Sequence, residues 1–282
     1  MSLTRRLRSY RGLSVLALAV ALVVSACGSS SSSSSKSILS DVLDRGTLRI
    51  GTITGNAPFE SLDSNNQLVG YDIDIANKLA QSLGVKADYT QTDVAGRVTV
   101  LQSGKADIVV GSFTRTPKRS QVVSFTDPIN LEYVGLLAAA NNPGTTVQDF
   151  NKSGVKIAVA TGGTQSDAVA SGLPQATAVQ VPGIADEVAA VISGNADAAA
   201  VANTQVGDLM KANPGKFKII NGSLTGFQED AIGIPIGDFT WWLYVNQFVR
   251  DINNDGTTNT LYQKWFGQGT SPGPFSMPPA GQ

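Results

Sequence analysis

VLQSGKADIVVGSFTRTPKR, residues 100–119, decides the fold, because it contains the end of a helix, a buried strand and a polar loop. The helix is predicted to end at Gly104, and the chain then enters the strand through Ala106 and Asp107. A second stretch, AVISGNADAAAV at 190–201, has the same order, with Gly194 at the helix end. This repetition predicts two similarly built lobes.

Strands and helices alternate around these two stretches. A buried strand is predicted at 47–53, and a helix at 71–83 that stops at Gly84. Further apolar strands are predicted at 106–110, 155–160, 176–181, 197–201 and 217–220, and helices at 94–103, 164–171, 184–193 and 204–212. The alternation predicts an α/β fold with mainly parallel strand pairing.

The first 27 residues predict where the protein is found. Four arginines precede an apolar run at 13–24, which ends in Ser25, Ala26 and Cys27. A run of about 12 residues is typical of a secretory signal, here 1–26, since a permanent membrane span, the alternative, needs ~20. The segment is similar to the lipobox of bacterial lipoproteins, which predicts lipid on Cys27, ordinary cleavage being the alternative. The serine-rich segment 27–37 is then a tether, and the protein is extracytoplasmic and anchored to the cell membrane.

Composition excludes several classes of function. Without 1–26, 17 basic and 22 acidic residues remain, a net charge of −5 with no basic run, so nucleic acid is not an expected partner. The chain has no histidine and one cysteine, which excludes Ser-His-Asp catalysis, His-ligated metals and disulfides. Residues 251–256 match the start of a calcium loop, but its bidentate carboxylate position is Tyr262, which favours a turn between helices. We expect no cofactor and no metal.

Two loops that follow predicted strands are candidate binding segments. In TGGTQ at 161–165, a helix begins near Gly163, Thr164 and Gln165, and its backbone N–H groups can bind an anion unless the segment is an ordinary turn. The loop at 111–119 starts where its strand ends, the place where open α/β sheets bind ligands, and it contains Gly111, Ser112 and Thr114. Arg119 can clamp a carboxylate through two parallel bonds, or it can be a solvated surface arginine.

Several motifs together carry a family resemblance: RIGT and NAPFE within 49–60, LVGYDIDIANKLA at 68–80, SGKADIVVGSFTRTPKR at 103–119, VSFTDP at 123–128 and LYQKWFG at 261–267. Over about 45–267 the chain resembles the polar amino-acid solute-binding proteins of ABC importers. The resemblance implies a two-lobed periplasmic-binding-protein fold, with two α/β lobes joined by two crossover strands. It places lobe 1 at 38–133 and 230–282, including a loose C-terminal tail, and lobe 2 at 134–229.

The resemblance also implies a function. A monomer captures a small polar amino acid in the cleft between its lobes, and hinge closure presents it to a permease and ATPase complex. Two alternatives are a ligand-sensing lipoprotein for a signalling partner and a dehydratase on the same fold. Paired carboxylates permit acid–base work without histidine, so the second alternative is weighed although we expect no enzyme.

Ligand contacts carry over onto matching positions. Arg119 is the implied clamp for the α-carboxylate, assisted by Ser112, Thr114 and the amide of Thr164; Gly111 replaces a frequent serine. Two aromatic residues that sandwich basic side chains in relatives are here Asn56 and Val94, which disfavours lysine or arginine. Arg97 looks like the arginine that acidic-specific relatives direct at a side-chain carboxylate. The resemblance therefore favours aspartate or glutamate, with asparagine or glutamine next.

One implied contact is missing from the pattern. Family members hold the ligand's α-ammonium with an aspartate where this chain has Ala202 and Asn203. Glu229 or Asp230 is expected to supply the charge, because a buried ammonium without a partner is costly; otherwise the ligand is not a conventional amino acid. Phe59, within NAPFE, completes the predicted site.

Overall fold

Residues 36–267 are described by a computed structural model, and every element below belongs to the unit of the chain that begins at Ser37. The predicted secretory signal at 1–26, Cys27, nearly all of the tether at 27–37 and the tail from 268 lie outside the described residues. Within 36–267 we find no helix that combines the length and the apolar character needed to cross a membrane.

The first lobe is built on a five-stranded sheet. Its elements before the crossover are α1 (Ile38–Arg45), β1 (Thr47–Thr52), β2 (Ser61–Leu62), β3 (Leu68–Val69), α2 (Tyr71–Leu83), β4 (Lys86–Gln91), α3 (Gly96–Gln102), β5 (Ile108–Val109), α4 (Pro117–Ser120) and β6 (Val123–Glu132). The chain returns to it with β12 (Gln228–Pro235), α8 (Phe239–Asn254) and α9 (Thr257–Phe266). The strand order is β4-β1-β5-β12-β6, and β2 and β3 form a separate hairpin.

The second lobe has a five-stranded sheet of its own. Its elements are β7 (Val134–Ala139), a short 3₁₀ turn (Val147–Phe150), β8 (Lys156–Ala160), α5 (Gln165–Gly172), β9 (Thr177–Val181), α6 (Ile184–Ile192), β10 (Ala198–Ala202), α7 (Val206–Ala212) and β11 (Phe217–Ile219). The strand order is β11-β7-β10-β8-β9. The chain thus passes from one sheet to the other between β6 and β7 and again between β11 and β12. The lobe limits at 133/134 and 229/230 stay predictions.

Both sheets are mixed, so the expectation of mainly parallel pairing was wrong. β1 pairs in parallel with β4 and β5, as β8 does with β9 and β10. The strands next to the crossovers pair antiparallel: β12 with β5 and β6, and β7 with β10 and β11. A strand that returns from the other lobe enters its sheet from the opposite end, and it therefore runs against its neighbours.

Helix α2 shows how the local sequence determines where a helix begins, where it ends and which face it buries. Its first turn carries Asp72 and Asp74, which suit the positive end of the helix dipole, and Gly84 ends it with φ 68°. Ile75, Leu79 and other apolar residues of one face are buried against the first sheet. The helix therefore presents Asp72, at its buried N-terminal end, to the loop that follows β5.

The segment with the partial calcium pattern lies between two helices. α8 ends at Asn254 and α9 begins at Thr257, so the segment forms a turn. Asn253 donates its amide to the Pro128 carbonyl at 3.1 Å, and the Asp255 carboxylate accepts the Thr257 N–H at 2.8 Å. In the part of the chain that the structure describes, no three His, Cys, Asp or Glu residues converge as metal ligands.

Gly70→Ala tests how tightly α2 is joined to the site. Gly70 has φ 144°, and a Cβ there would lie 1.9 Å from the Phe59 carbonyl oxygen. We expect a loss of about 3 kcal/mol in the free energy of unfolding, measured by urea titration. Gly46→Ala is the control, because Gly46 also has positive φ, 66°, but its Cβ would meet nothing within 4 Å. Its expected cost is about 1 kcal/mol, and equal losses in the two variants would contradict the analysis.

Candidate functional site

The loop after β5 is held between two buried charges. The N–H groups of Gly111 and Ser112 donate to Oδ2 of Asp72, at 2.9 and 2.7 Å. Their carbonyls accept from Nη1 of Arg97, at 2.7 and 2.9 Å. Gly111 and Ser112 have φ values of 148° and 45°, so the loop turns sharply enough for its donors and acceptors to face these charges.

Arg97 is bound within its own lobe. Besides the two loop carbonyls, its Nε donates to the Val94 carbonyl at 2.9 Å, and its guanidinium carbon lies 4.9 Å from the centre of the Phe113 ring. Burial lowers the pKa of Arg97 to about 9, and the positive charge of Arg119 adds to the effect. Arg97, which was predicted to bind the side-chain carboxylate of an acidic ligand, therefore donates at least three hydrogen bonds to backbone carbonyls.

Arg119 connects the two lobes. Its Nη1 donates to the Thr114 carbonyl, and its Nη2 donates across the cleft to the Gly162 carbonyl at 2.9 Å. Its guanidinium carbon lies 5.0 Å from the centre of the Phe113 ring. Burial lowers the pKa of Arg119, and the negative charge of Asp230 raises it. A mostly buried guanidinium whose hydrogen-bond partners within residues 36–267 are carbonyls is suited to bind a carboxylate.

The second lobe contributes the loop between β8 and α5. Thr164 donates its hydroxyl to the Gln228 side-chain oxygen at 3.2 Å. The Oε1 atom of Gln165 is buried and has no hydrogen-bond partner among residues 36–267. A Cβ on Gly163 would lie 2.0 Å from that atom, so only glycine leaves room for Gln165 in its observed position.

Polar and apolar contacts close the cleft. Gln205 donates its amide to the Asn56 side-chain oxygen, and Asn56 donates to Oε2 of Glu60 at 2.8 Å. Val94 packs in a cluster with Ile53, Ala160 and Ile184, which joins both lobes. The cavity left between the lobes has a volume of about 20 Å³, room for about one water molecule.

The residues around this cavity are mostly polar. They are Ile53, Val94, Arg97, Ser112, Thr114, Glu132, Gly163, Thr164, Gln165, Ile184 and Gln205. A larger groove of about 850 Å³ shares Gly163 and Thr164 with the cavity and is lined by Arg119. Arg119 therefore lines the open groove that adjoins the closed cavity at Gly163 and Thr164.

Four buried carboxyl groups lie close to the cleft. Burial raises the pKa of Glu132, Glu60 and Asp72, and it raises the pKa of Asp230 to about 6. Oε2 of Glu132 accepts the Thr204 hydroxyl from the other lobe at 3.2 Å. Oδ2 of Asp230 accepts the Asn130 amide at 3.0 Å, while its Oδ1 has no hydrogen-bond partner in the described chain.

Of the residues predicted for the site, seven line the small cavity: Val94, Arg97, Ser112, Thr114, Gly163, Thr164 and Gln165. Seven others do not line it: Asn56, Phe59, Gly111, Arg119, Ala202, Asn203 and Asp230. Phe59 packs in the core, with its ring 5.0 Å from that of Phe266. Ala202 is buried at the end of β10, where it pairs with Val134. Asn203 accepts the Tyr133 N–H at 2.7 Å and so fixes the crossover.

Sequence reasoning missed Glu132 and Gln205. Glu132 is an acidic residue at the end of β6, two residues before the apolar strand β7, and an acid beside such a run is a signal of a special environment. Gln205 follows β10 by three residues, and its Oε1 accepts the Ala202 N–H at 3.1 Å. Gln205 thus reaches the cleft from the segment in which this chain lacks the aspartate that binds the α-ammonium group in family members.

Comparison with known sequences gives matches along most of the chain. A profile of the bacterial extracellular solute-binding proteins, family 3, matches residues 48–268. The L-cystine-binding protein TcyJ of Escherichia coli is 26% identical, over 89% of this chain and 93% of the relative. The ABC transporter glutamine-binding protein GlnH of Bacillus subtilis is 26% identical, over 90% and 95%. The lysine/arginine/ornithine-binding periplasmic protein of Escherichia coli is 28% identical, over 78% and 87%.

A solved structure is similar in fold and sequence. It is the crystal structure of the ancestral amino acid-binding protein AncCDT-1, described as a precursor of cyclohexadienyl dehydratase. It is 33% identical to this chain and superposes with a TM-score of 0.76, covering 81% of this chain and 99% of that one. The likeness extends over both lobes.

Gly162→Ala tests whether the cleft closes as observed. Gly162 has φ 82°, and a Cβ there would lie 2.5 Å from Cα of Ala95 in the other lobe. Gly154→Ala is the control, since φ is 88° and a Cβ would meet nothing within 4 Å. We expect both variants to lose about 1 kcal/mol of unfolding free energy, while only Gly162→Ala holds the lobes apart. Small-angle X-ray scattering should then give that variant the larger radius of gyration; equal radii would refute the contact.

Proposed function

Because the chain belongs to the bacterial extracellular solute-binding proteins of family 3, we propose that it captures an amino acid between its lobes and delivers it to the permease and ATPase complex of an ABC importer. The curated relatives are named as amino-acid-binding proteins, and one of them is named as part of an ABC transporter. The single observation that carries the proposal is Arg119, a mostly buried guanidinium between the two lobes.

The proposed capture proceeds by exchange of partners. Arg119 gives up its carbonyl partners, on Thr114 and Gly162, for the ligand's α-carboxylate, which accepts two parallel charge-assisted bonds. Ser112, Thr114 and Thr164 line the same cleft and supply further donors. Since the closed cavity is far smaller than an amino acid, the lobes have to separate before the ligand enters.

We propose a ligand whose side chain is polar and uncharged. The acidic preference predicted from Arg97 lacks support, because that guanidinium is bound to backbone carbonyls and the relatives are named for cystine, glutamine and basic amino acids. Asn56 and Val94 offer no aromatic sandwich for a basic side chain. The free acceptor of Gln165 and the amide of Gln205 suit a group with both donors and acceptors.

Delivery is proposed to take place at a membrane. Lipid on Cys27 and the tether at 27–37 would keep the two lobes at the outer surface of the cell membrane, within reach of the permease. A single lobe pair suffices for this role, so we propose a monomer. The lipid, the tether and the monomeric state rest on the sequence alone.

Arg119→Lys tests the carboxylate clamp. A lysine cannot form two parallel bonds, so we expect affinity to fall by about 30-fold or more. Binding is measured by calorimetric titration with glutamine, asparagine, cystine, histidine, arginine, lysine, glutamate and aspartate. Arg115→Lys is the matched control, because Arg115 is four residues away and forms an exposed ion pair with Glu229.

The two variants separate the outcomes. Wild type and Arg115→Lys should bind the same amino acid with similar affinity, while Arg119→Lys binds it weakly. If none of the eight amino acids binds to the wild type, the proposed function is wrong. Equal binding by the two lysine variants would instead reject Arg119 as the clamp.

A further inference from the structure

Two buried carboxyl groups, of Glu132 and Asp230, stand at the crossovers beside the cleft. Their side chains are 3% and 1% exposed. Within residues 36–267 neither forms an ion pair with a lysine or arginine. A buried carboxylate without a cation is strongly disfavoured, so this pair has to hold a proton or bind a cation.

The pair lies next to the carboxylate clamp. The Thr114 carbonyl is a partner of Arg119, and Thr114 forms an isolated antiparallel bridge with Asp230. Thr114 and Glu132 line the same cavity. An amino acid carries its carboxylate and its ammonium on one carbon atom, so the groups that bind them must be neighbours, as they are here.

Other positions leave the ammonium without a partner. Ala202 has no polar side chain, and the Asn203 side chain is taken by the Tyr133 N–H. Glu229, the other acid considered from the sequence, points to Arg115, and its side chain is 36% exposed. Glu187 is fully buried in lobe 2, where it accepts the Ala160 N–H at 2.5 Å, but it does not line the cavity.

We infer that Glu132 and Asp230 together bind the ligand's α-ammonium group, and that the proton they hold between them is released when this group binds. The inference rests on the proposed function, because it requires a ligand with an ammonium. Before binding, the pair carries one carboxylate and one carboxylic acid. In the complex both are carboxylates around –NH₃⁺, and the displaced proton passes to solvent, so charge and protons balance.

The surroundings of the pair support this exchange. Burial is the main cause that raises the pKa of both acids, and the charge of Asp230 raises the pKa of Glu132 further. Arg97 and Arg119 are the cations that interact with the pair, and both are buried. Burial raises the pKa of Tyr71 and the pKa of Tyr262, so both hydroxyl groups stay protonated. The carboxylate of Asp72 adds negative charge beside Glu132. A bound ammonium offsets that negative charge and favours ionisation of the pair.

The first measurement needs only the wild type. Calorimetric titration above pH 6, the pKa of Asp230, in buffers of different ionisation enthalpy gives the number of protons released on binding. The probes are the panel amino acid with the lowest dissociation constant and the same acid with hydrogen in place of its α-amino group, which is glutaramic acid if L-glutamine binds. We expect about one proton released with the amino acid and none with its des-amino analogue.

Affinity should also depend on pH in a defined direction. The free pair holds a proton that the complex does not, so affinity for the amino acid rises with pH over the range in which the free pair is protonated. Because burial raises the pKa of both acids, that range extends above the ordinary range of a carboxyl group. Affinity for the des-amino analogue should not rise in this way, because no proton is displaced. A pH-independent affinity for the amino acid would overturn the inference.

Glu132→Gln then tests whether the Glu132 carboxylate binds the α-ammonium group. It keeps an acceptor for the Thr204 hydroxyl and removes the charge. We expect an affinity loss of about 30-fold or more for the amino acid, loss of proton release and no loss for the des-amino analogue. Glu187→Gln is the control for altering a buried glutamate, and it should match the wild type. Asp230→Asn replaces Glu132→Gln if that variant does not fold.

The outcomes separate this inference from the proposed function. If no amino acid of the panel binds to the wild type, both fail. If an amino acid binds but Glu132→Gln behaves like Glu187→Gln, the capture function stands and the ammonium assignment is wrong. Equal losses for the amino acid and its des-amino analogue would give Glu132 a structural role and would also overturn the inference.

Discussion

The loop at 111–112, held between Asp72 and Arg97, is the interaction on which the site depends. Asp72 accepts both loop N–H groups, and Arg97 donates to both loop carbonyls. Charge-assisted bonds to backbone are stronger than neutral ones, and buried ones resist exchange with water. The loop in turn positions Phe113, Thr114 and, through the short helix α4, Arg119. Two helices of lobe 1 therefore fix the clamp before any ligand contact is made.

Lobe closure in this structure uses bonds that a ligand can replace. Arg119 binds a carbonyl of the other lobe, and Gln205 binds Asn56. Each hydrogen bond of the charged Arg119 guanidinium contributes about 1.5–3 kcal/mol, and a carboxylate adds the opposite charge and a second parallel bond, which a single carbonyl does not. A ligand carboxylate thus competes favourably with the Gly162 carbonyl for Arg119. Val94 with Ile53, Ala160 and Ile184 adds apolar contact area that does not depend on the ligand.

Local features of the fold were predictable, and long-range pairing was not. The helix Tyr71–Leu83 and its stop at Gly84 follow from apolar spacing and a glycine, and the six predicted strands lie within two residues of their predicted bounds. Six further strands of the structure had no predicted bounds. Antiparallel pairing by β12 depends on where the chain returns after about 100 residues, which periodicity does not report. Thr114 and Arg119, which motifs placed in the site, lie at the cavity and at the groove, and their part in ligand binding stays a prediction. Glu132 and Gln205 were missed, because their roles arise only when the lobes meet.

Charge in the cleft gives a physical argument against the acidic preference that Arg97 suggested. Two guanidinium groups lie within 5.0 Å of the centre of one phenyl ring, and their mutual repulsion adds to the burial that lowers the pKa of Arg97. Glu60, Asp72, Glu132 and Asp230 supply more negative charge than these arginines supply positive charge. Full ionisation would leave an excess of two negative charges, so protons or cations have to make up the difference. A further carboxylate on the ligand would increase that excess, whereas an ammonium reduces it.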